Sequence, residues 1–120
     1  MLSQASARLG IGQESSGKLV TVVRSQAAVV ARERGLSLSI IDGSPGIGCP
    51  VISAVSGTDL AVVVTEPTPS GIHDLVRVVE LCEHFRVPAS IIINKADLNA
   101  AASEEIRTVC RRKDLPVFAE

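Results

Sequence analysis

Aromatic side chains are nearly absent from this chain of 120 residues, which has two phenylalanines and no tryptophan or tyrosine. Hydrophobic residues nevertheless make up 46% of the sequence, so the core must consist of valine, isoleucine, leucine and alanine. This bias favours a parallel sheet covered by helices over a β-sandwich, which usually carries aromatic residues. At this length we expect one domain at most.

An excess of charge of either sign is also missing, since the formal net charge is −1. The sequence has no basic stripe, so we expect no nucleic-acid partner. It has no apolar run of membrane-spanning length, and Met1 is not followed by a signal-peptide pattern. The three cysteines, Cys49, Cys82 and Cys110, are far apart in apolar surroundings, which is typical of buried free thiols in a reducing compartment. We therefore expect a cytoplasmic protein.

Apolar runs alternate with segments of helical period. Strands are predicted at Leu36–Ile41, Leu60–Thr65 and Ala89–Ile93, with a short one at Pro116–Phe118. The helices between them are predicted to begin at the capping residues Ser15–Ser16, Ser70 and Ser103, with a short extra helix from Pro50. This alternation predicts an α/β fold, a three-layer parallel sheet flanked by helices. Residues 1–14 have no clear period and are predicted to be irregular.

Polar loops follow each of the three longer predicted strands. Asp42 ends the first strand and leads into a loop that contains Gly43, Ser44, Pro45 and Gly46. An aspartate at the end of a buried strand is costly unless something uses it, and ligands bind at that edge of open α/β sheets. An ordinary Asp-Gly turn is the alternative. With the loops 66–70 and 94–97 expected on the same edge, the pattern favours a nucleotide site.

The tetrad Asn94-Lys95-Ala96-Asp97 stands directly after the third predicted strand. An asparagine amide supplies both the donor and the acceptor that a purine edge requires. Asp97 could accept hydrogen bonds from guanine, as in GTPase-like switches. A simple side-chain-stabilised turn after a strand is the alternative.

The stretch Gly12–Lys18 fits the phosphate-binding pattern G-x-x-x-x-G-K. However, Leu19 stands where a serine or threonine should reach Mg²⁺, and no apolar strand precedes Gly12. We therefore interpret this stretch as a loop and helix N-cap, with Lys18 in solvent.

Four stretches together resemble the carboxyl-terminal half of MinD/ParA-superfamily P-loop ATPases that carry an inserted ferredoxin-type 4Fe–4S domain. They are Ser15–Val20, Ile41–Pro50, Thr65–Asp74 and Ile93–Asn99. The resemblance implies a P-loop fold, MgATP as ligand and ATP-dependent dimerisation. It makes Asp42 the Walker B acid that holds Mg²⁺ through water, Gly43–Gly46 the switch loop and Asn94 the adenine-reading residue. The nucleotide-binding set is Asp42, Gly43, Ser44, Pro45, Gly46, Pro67, Asn94 and Asp97.

The family's P-loop and the clustered cysteines of its iron–sulfur insert are absent from this sequence. We therefore interpret residues 15–120 as a partial domain without the Walker A strand and loop. On this view the chain is a fragment, a degenerate paralogue or a mis-started reading frame, and its partner is a second copy or a missing amino-terminal half. We expect it to bind ATP without hydrolysing it alone. A GTPase-like switch and a non-catalytic interaction module that keeps the fold are the alternatives.

Overall fold

The computed structural model describes residues 16–120, and the chain divides into two compact units, Met1–Ala54 and Val55–Glu120. The elements are α1 (Ser16–Glu33), α2 (Cys49–Val55), β1 (Ala61–Thr65), α3 (Pro69–His84), β2 (Ala89–Ile93), α4 (Ala100–Arg112) and β3 (Val117–Ala119). None of these helices is long and apolar enough to cross a membrane. The irregular segment predicted at residues 1–14, and the part of the phosphate-loop pattern before Ser16, lie outside the described residues.

Helix α1 is amphipathic and ends before a left-handed glycine. Leu19, Val23 and Ala27 are partly buried at a spacing of four residues. After the helix, Gly35 has a φ of +63°, and the N–H of residue 36 donates to the carbonyl of residue 31 at 2.8 Å. This bond across a left-handed glycine is a common way for a helix to end.

The strand predicted at Leu36–Ile41 is wrong. Residues 36–44 form neither helix nor strand, and Leu38 and Ile40 are 74% and 85% exposed. An apolar run becomes a strand only where another strand pairs with its backbone. In the described part of the chain the sheet consists of β1, β2 and β3 alone. Asp42 therefore follows an irregular segment and not a strand.

The second unit contains the parallel sheet, in the order β1-β2-β3. Strand β1 pairs with β2 from Ala61↔Ala89 to Thr65↔Ile93, and β2 pairs with β3 at Ile91↔Val117. These pairings confirm the parallel arrangement of the strands predicted near 60–65 and 89–93. The core on one sheet face is formed by Leu75 and Val79 of α3, Ile91 and Ile93 of β2, and Ile106 and Cys110 of α4. This unit therefore has an α/β fold in which helices cover that face of the sheet. A helical layer on the opposite face, the third of the predicted layers, stays a prediction.

Helices α3 and α4 begin earlier than the serine caps predicted. The Thr68 hydroxyl accepts from the N–H of residue 71 at 3.0 Å and caps α3, so the prediction for Ser70 is wrong. Asn99 caps α4 in the same way, through the N–H of residue 102 at 3.0 Å. Ser103 is instead buried within α4 and donates to the carbonyl of Ala96 at 2.7 Å. The prediction that Ser103 caps α4 is therefore wrong, because its hydroxyl is bonded to the Ala96 carbonyl.

Candidate site at the carboxyl edge of the sheet

The carboxyl ends of β1 and β2 bring Glu66 and Asn94 next to each other. The N–H of Asn94 donates to the carbonyl of Thr65 at 2.8 Å, which continues the ladder one residue past the end of β2. This bond fixes the backbone from which the Asn94 side chain projects. The placement of Glu66 and Asn94 on one edge, which the sequence predicts, is thus confirmed.

The Glu66 carboxylate contacts two neighbouring side chains at this edge. Its Oε1 lies 2.8 Å from Lys95 Nζ and accepts from Asn94 Nδ2 at 3.5 Å. A carboxylate can only accept hydrogen bonds, so it favours the orientation in which the Asn94 amide turns its NH₂ group toward Glu66. The amide oxygen is then directed to the opposite side.

The backbone of Lys95 is in the left-handed region, with a φ of +57°. Arg86 and Asp114, the other non-glycine residues with such a φ in residues 16–120, directly follow the last turns of α3 and α4, where a left-handed residue ends a helix. Lys95 follows strand β2, so the end of a helix does not account for its positive φ. Such strain costs about 1 to 3 kcal/mol and clusters at functional sites. The conformation of Lys95 is therefore an independent sign of a site at this edge.

The turn that carries Glu66 is held closely against the start of α3. A Cβ atom on Gly71 would lie 2.3 Å from the carbonyl oxygen of Glu66, so only glycine fits there. The Thr65 hydroxyl donates to the carbonyl of Gly71 at 3.0 Å, and Pro67 is buried within the turn. Glu66 thus projects from a rigid backbone.

A cleft of about 600 Å³ opens beside β2 at this edge. Asn94, Lys95 and Asp97 line it, together with Ile92, Ile93, Ala96, Ala119 and Glu120. Its volume is in the range of sites for small molecules. The structure therefore brings Asn94 and Asp97 to one cleft, whereas Pro67 is not part of its lining.

Glu120, which lines the cleft, belongs to a network of charged side chains. Arg107 donates to both carboxylate oxygens of Glu120, at 2.8 and 2.5 Å, and lowers the pKa of that carboxyl. Hydrogen bonds from Arg111 and then Arg107 lower the pKa of Glu104 as well. Glu120 is thereby held in one geometry, directed to Arg107.

Sequence reasoning missed the roles of Glu66 and Gly71. The signal was present, because an acid directly after one parallel strand and a lysine two residues after its neighbour lie within reach of each other. The glycine two residues after the Thr-Pro start of α3 was a further sign of close backbone approach.

The Asp42 loop lies in the first unit, and Asp42, Gly43, Ser44, Pro45 and Gly46 are all exposed there. Gly46 has a φ of +93°, so this position requires glycine.

In residues 16–120 no group of three or more His, Cys, Asp or Glu side chains is arranged to hold a metal ion. Mg²⁺ is often bound by one or two carboxylates together with water and substrate phosphates. A single exposed carboxylate fits that donor set, and the role of Asp42 stays a prediction.

The cysteines do not fit an iron–sulfur cluster in this chain. A 4Fe–4S cluster requires four thiolate ligands, and the chain has three cysteines. Cys82 and Cys110 are buried, as predicted, and burial raises the pKa of both thiols. Cys49 is exposed, which corrects the prediction that it is buried, because it opens the short helix α2 at the end of the exposed loop.

Two proteins of Methanocaldococcus jannaschii, both named as uncharacterized, are similar to this chain. MJ0578 is 40% identical over 91 residues, which are 76% of this chain and 32% of that protein. MJ0579 is 28% identical over 85 residues, which are 71% of this chain and 30% of that protein. The chain thus spans about a third of the length of the curated relatives it matches. No protein-family model and no solved structure matches it.

Proposed function

We propose that this chain is the nucleotide-binding part of a MinD/ParA-like ATPase and that the carboxyl edge of β1 and β2 binds the base. The observation that carries the proposal is the Asn94 amide at the end of a parallel strand, beside a cleft and next to Glu66. In open α/β sheets, ligands bind outside the carboxyl ends of the strands. The oxygen of an asparagine amide can accept a hydrogen bond from the exocyclic NH₂ group of adenine. ATP is therefore the proposed ligand.

The metal role proposed for Asp42 rests on the Asp-Gly-Ser-Pro-Gly motif at residues 42–46. Its carboxylate would hold the Mg²⁺ ion of the nucleotide through water, and the glycine-rich loop would respond to the phosphates. Bound Mg²⁺ neutralises phosphate charge. Nucleotide affinity should then depend on Mg²⁺ in the natural chain and lose that dependence in Asp42→Asn. Indistinguishable affinities with and without Mg²⁺ would reject the metal role.

We also propose that the chain alone does not hydrolyse ATP at a useful rate. Phosphoryl transfer depends on groups that grip the β- and γ-phosphates and cancel their charge. The sequence offers Lys18 but has Leu19 where the Mg²⁺-binding hydroxyl belongs. Steady-state phosphate release by the chain and by Lys18→Ala measures this. Mg²⁺-dependent turnover that Lys18→Ala abolishes would contradict the proposal.

The base site is tested by titration calorimetry of the full 120-residue chain with ADP and ATP in the presence of Mg²⁺. Asn94→Ala should weaken binding several-fold, because one side-chain hydrogen bond contributes about 0.5 to 1.5 kcal/mol. Arg112→Ala is the matched control, since Arg112 is an exposed residue at the other end of α4. Absence of saturable binding in the natural chain would overturn the proposal and favour a non-catalytic interaction module.

Guanine is the second candidate base, and the position of Asp97 favours it. Asp97 lines the same cleft as Asn94, and a carboxylate there can accept from the two neighbouring N–H groups of guanine. Competition of ADP and GDP for a labelled nucleotide separates the two candidates. Displacement by GDP far better than by ADP, with the preference lost in Asp97→Asn, would establish the GTPase-like reading.

A further inference from the structure

We infer that Glu66 is a positioning residue that sets the base preference of this site. It holds the Asn94 amide with its NH₂ group turned inward, so that the amide oxygen faces the bound base. This inference rests on the proposed nucleotide function and adds a specificity-determining residue to it.

The geometry shows how Glu66 can hold another side chain. The backbone of Glu66 lies close to Gly71, since a Cβ atom on Gly71 would be 2.3 Å from the Glu66 carbonyl oxygen. Its carboxylate is fixed from the other side by Lys95 Nζ, at 2.8 Å from Oε1. The strained φ of +57° at Lys95 occurs in the same turn. Asn94 Nδ2 approaches this same oxygen at 3.5 Å, so its amide faces an anchored acceptor.

A fixed Asn94 amide distinguishes between adenine and guanine. The side of the Asn94 amide away from Glu66 presents oxygen, which accepts but does not donate. Adenine carries an exocyclic NH₂ donor at its 6-position, whereas guanine carries an oxygen acceptor at that position. With the amide fixed and facing the base edge that carries the 6-position and N7, adenine gains a hydrogen bond, whereas guanine presents only acceptors there. An unfixed amide can flip and serve either base.

The test compares the 120-residue chain with Glu66→Gln and Glu66→Met. Gln can present either a donor or an acceptor to Asn94, and Met keeps the length of the side chain without any polar group. Both variants should fold, since the Glu66 side chain is 44% exposed, and backbone amide spectra check this. Glu80→Gln, which removes an exposed charge on α3, is the matched control.

Two readouts separate positioning from a structural role. Without nucleotide, the side-chain NH₂ signals of Asn94 in ¹⁵N spectra should shift in both Glu66 variants and not in Glu80→Gln, with the Asn99 signals unchanged in all three. With nucleotide, the ratio of GDP to ADP dissociation constants should fall about fivefold or more in both Glu66 variants, because one matched base contact carries that much discrimination.

Each outcome decides something. An unchanged GDP-to-ADP ratio in the Glu66 variants overturns the inference and leaves the nucleotide function standing. A lower ratio with unmoved Asn94 signals also overturns it, because Glu66 would then act without Asn94. If the natural chain binds neither nucleotide, the proposed function fails and the inference fails with it.

Discussion

The segment Leu36–Ile41 and strand β2 (Ala89–Ile93) are both short apolar runs followed by a polar residue, yet only β2 lies in a sheet. Ile91 and Ile93 are fully buried, whereas Leu38 and Ile40 are largely exposed. Strand β2 has β1 on one side and β3 on the other, and helices cover the face with Ile91 and Ile93. An apolar run thus shows what a segment can bury, and its neighbours decide whether it does.

The polar ends of the two runs differ for the same reason. Asn94 has its backbone fixed by Thr65 and its amide next to Glu66. Asp42 lies in an exposed loop with a glycine directly after it. A polar side chain at the end of a strand therefore acquires a defined direction where that strand has a neighbour. The predictions below test this contrast with matched substitutions in the two regions.

Loss of a buried side chain should have the largest effect. Ile91→Ala should lower the free energy of unfolding by about 2 to 5 kcal/mol, because Ile91 is fully buried in the core. Ile40→Ala, in the exposed segment, should change it by less than about 0.5 kcal/mol. Denaturant unfolding followed by circular dichroism measures both. Equal losses would mean that Ile40 is buried in solution and would remove the contrast.

The two glycines tested next differ in the space around them. Gly71→Ala should destabilise the second unit by about 1 to 3 kcal/mol, since the new Cβ would meet the Glu66 carbonyl oxygen at 2.3 Å. Gly43→Ala should be nearly neutral, because nothing lies within 4 Å of its Cβ position. Amide hydrogen exchange in β1 and α3 reports the loss. Unchanged protection in Gly71→Ala would show that the turn relaxes.

The sequence predicted those elements whose local pattern and tertiary surroundings agree. The strands near 60–65 and 89–93 could be predicted, since a continuous apolar run between turn residues is a local pattern. The strand at Leu36–Ile41 could not, because its formation depends on a pairing strand that no local pattern reveals. At the site, Asn94 and Asp97 follow from their place after a strand. The sequence shows an acid after one strand and a lysine after its neighbour, but the contact of Lys95 and Asn94 with one oxygen of Glu66 depends on the register between β1 and β2.

A buried hydroxyl and an exposed one extend the contrast to polar groups. Ser103→Ala removes a fully buried hydroxyl that donates to the Ala96 carbonyl at 2.7 Å, so it should cost about 1 kcal/mol. Ser39→Ala, in the exposed segment, should change stability by no more than about 0.5 kcal/mol. Thermal unfolding of both variants checks this. A stabilising Ser103→Ala would show that the hydrogen bond contributes nothing net.

The smallest effect should come from the carboxylates on the surface of the second unit. Arg107 lowers the pKa of Glu120, and Arg111 and Arg107 lower the pKa of Glu104, below the ordinary value near 4.5. In the unfolded chain both groups titrate near that value, so between it and the lower folded values the unfolded state binds more protons. Their contribution to stability is therefore present above the ordinary pKa and is lost as the pH falls through the folded values.

Thermal midpoints measured from about pH 6 down to about pH 3 should show this loss. In Arg107→Gln the acid-dependent decline should be shallower, since Glu120 then loses both of its hydrogen bonds from Arg107. Arg112→Gln, which removes the same charge from an exposed position on α4, should decline like the natural chain. Added salt should reduce the difference between the variants, because these groups are exposed and their attraction is screened. Parallel declines in all three proteins would mean that the Arg107 network does not persist in solution.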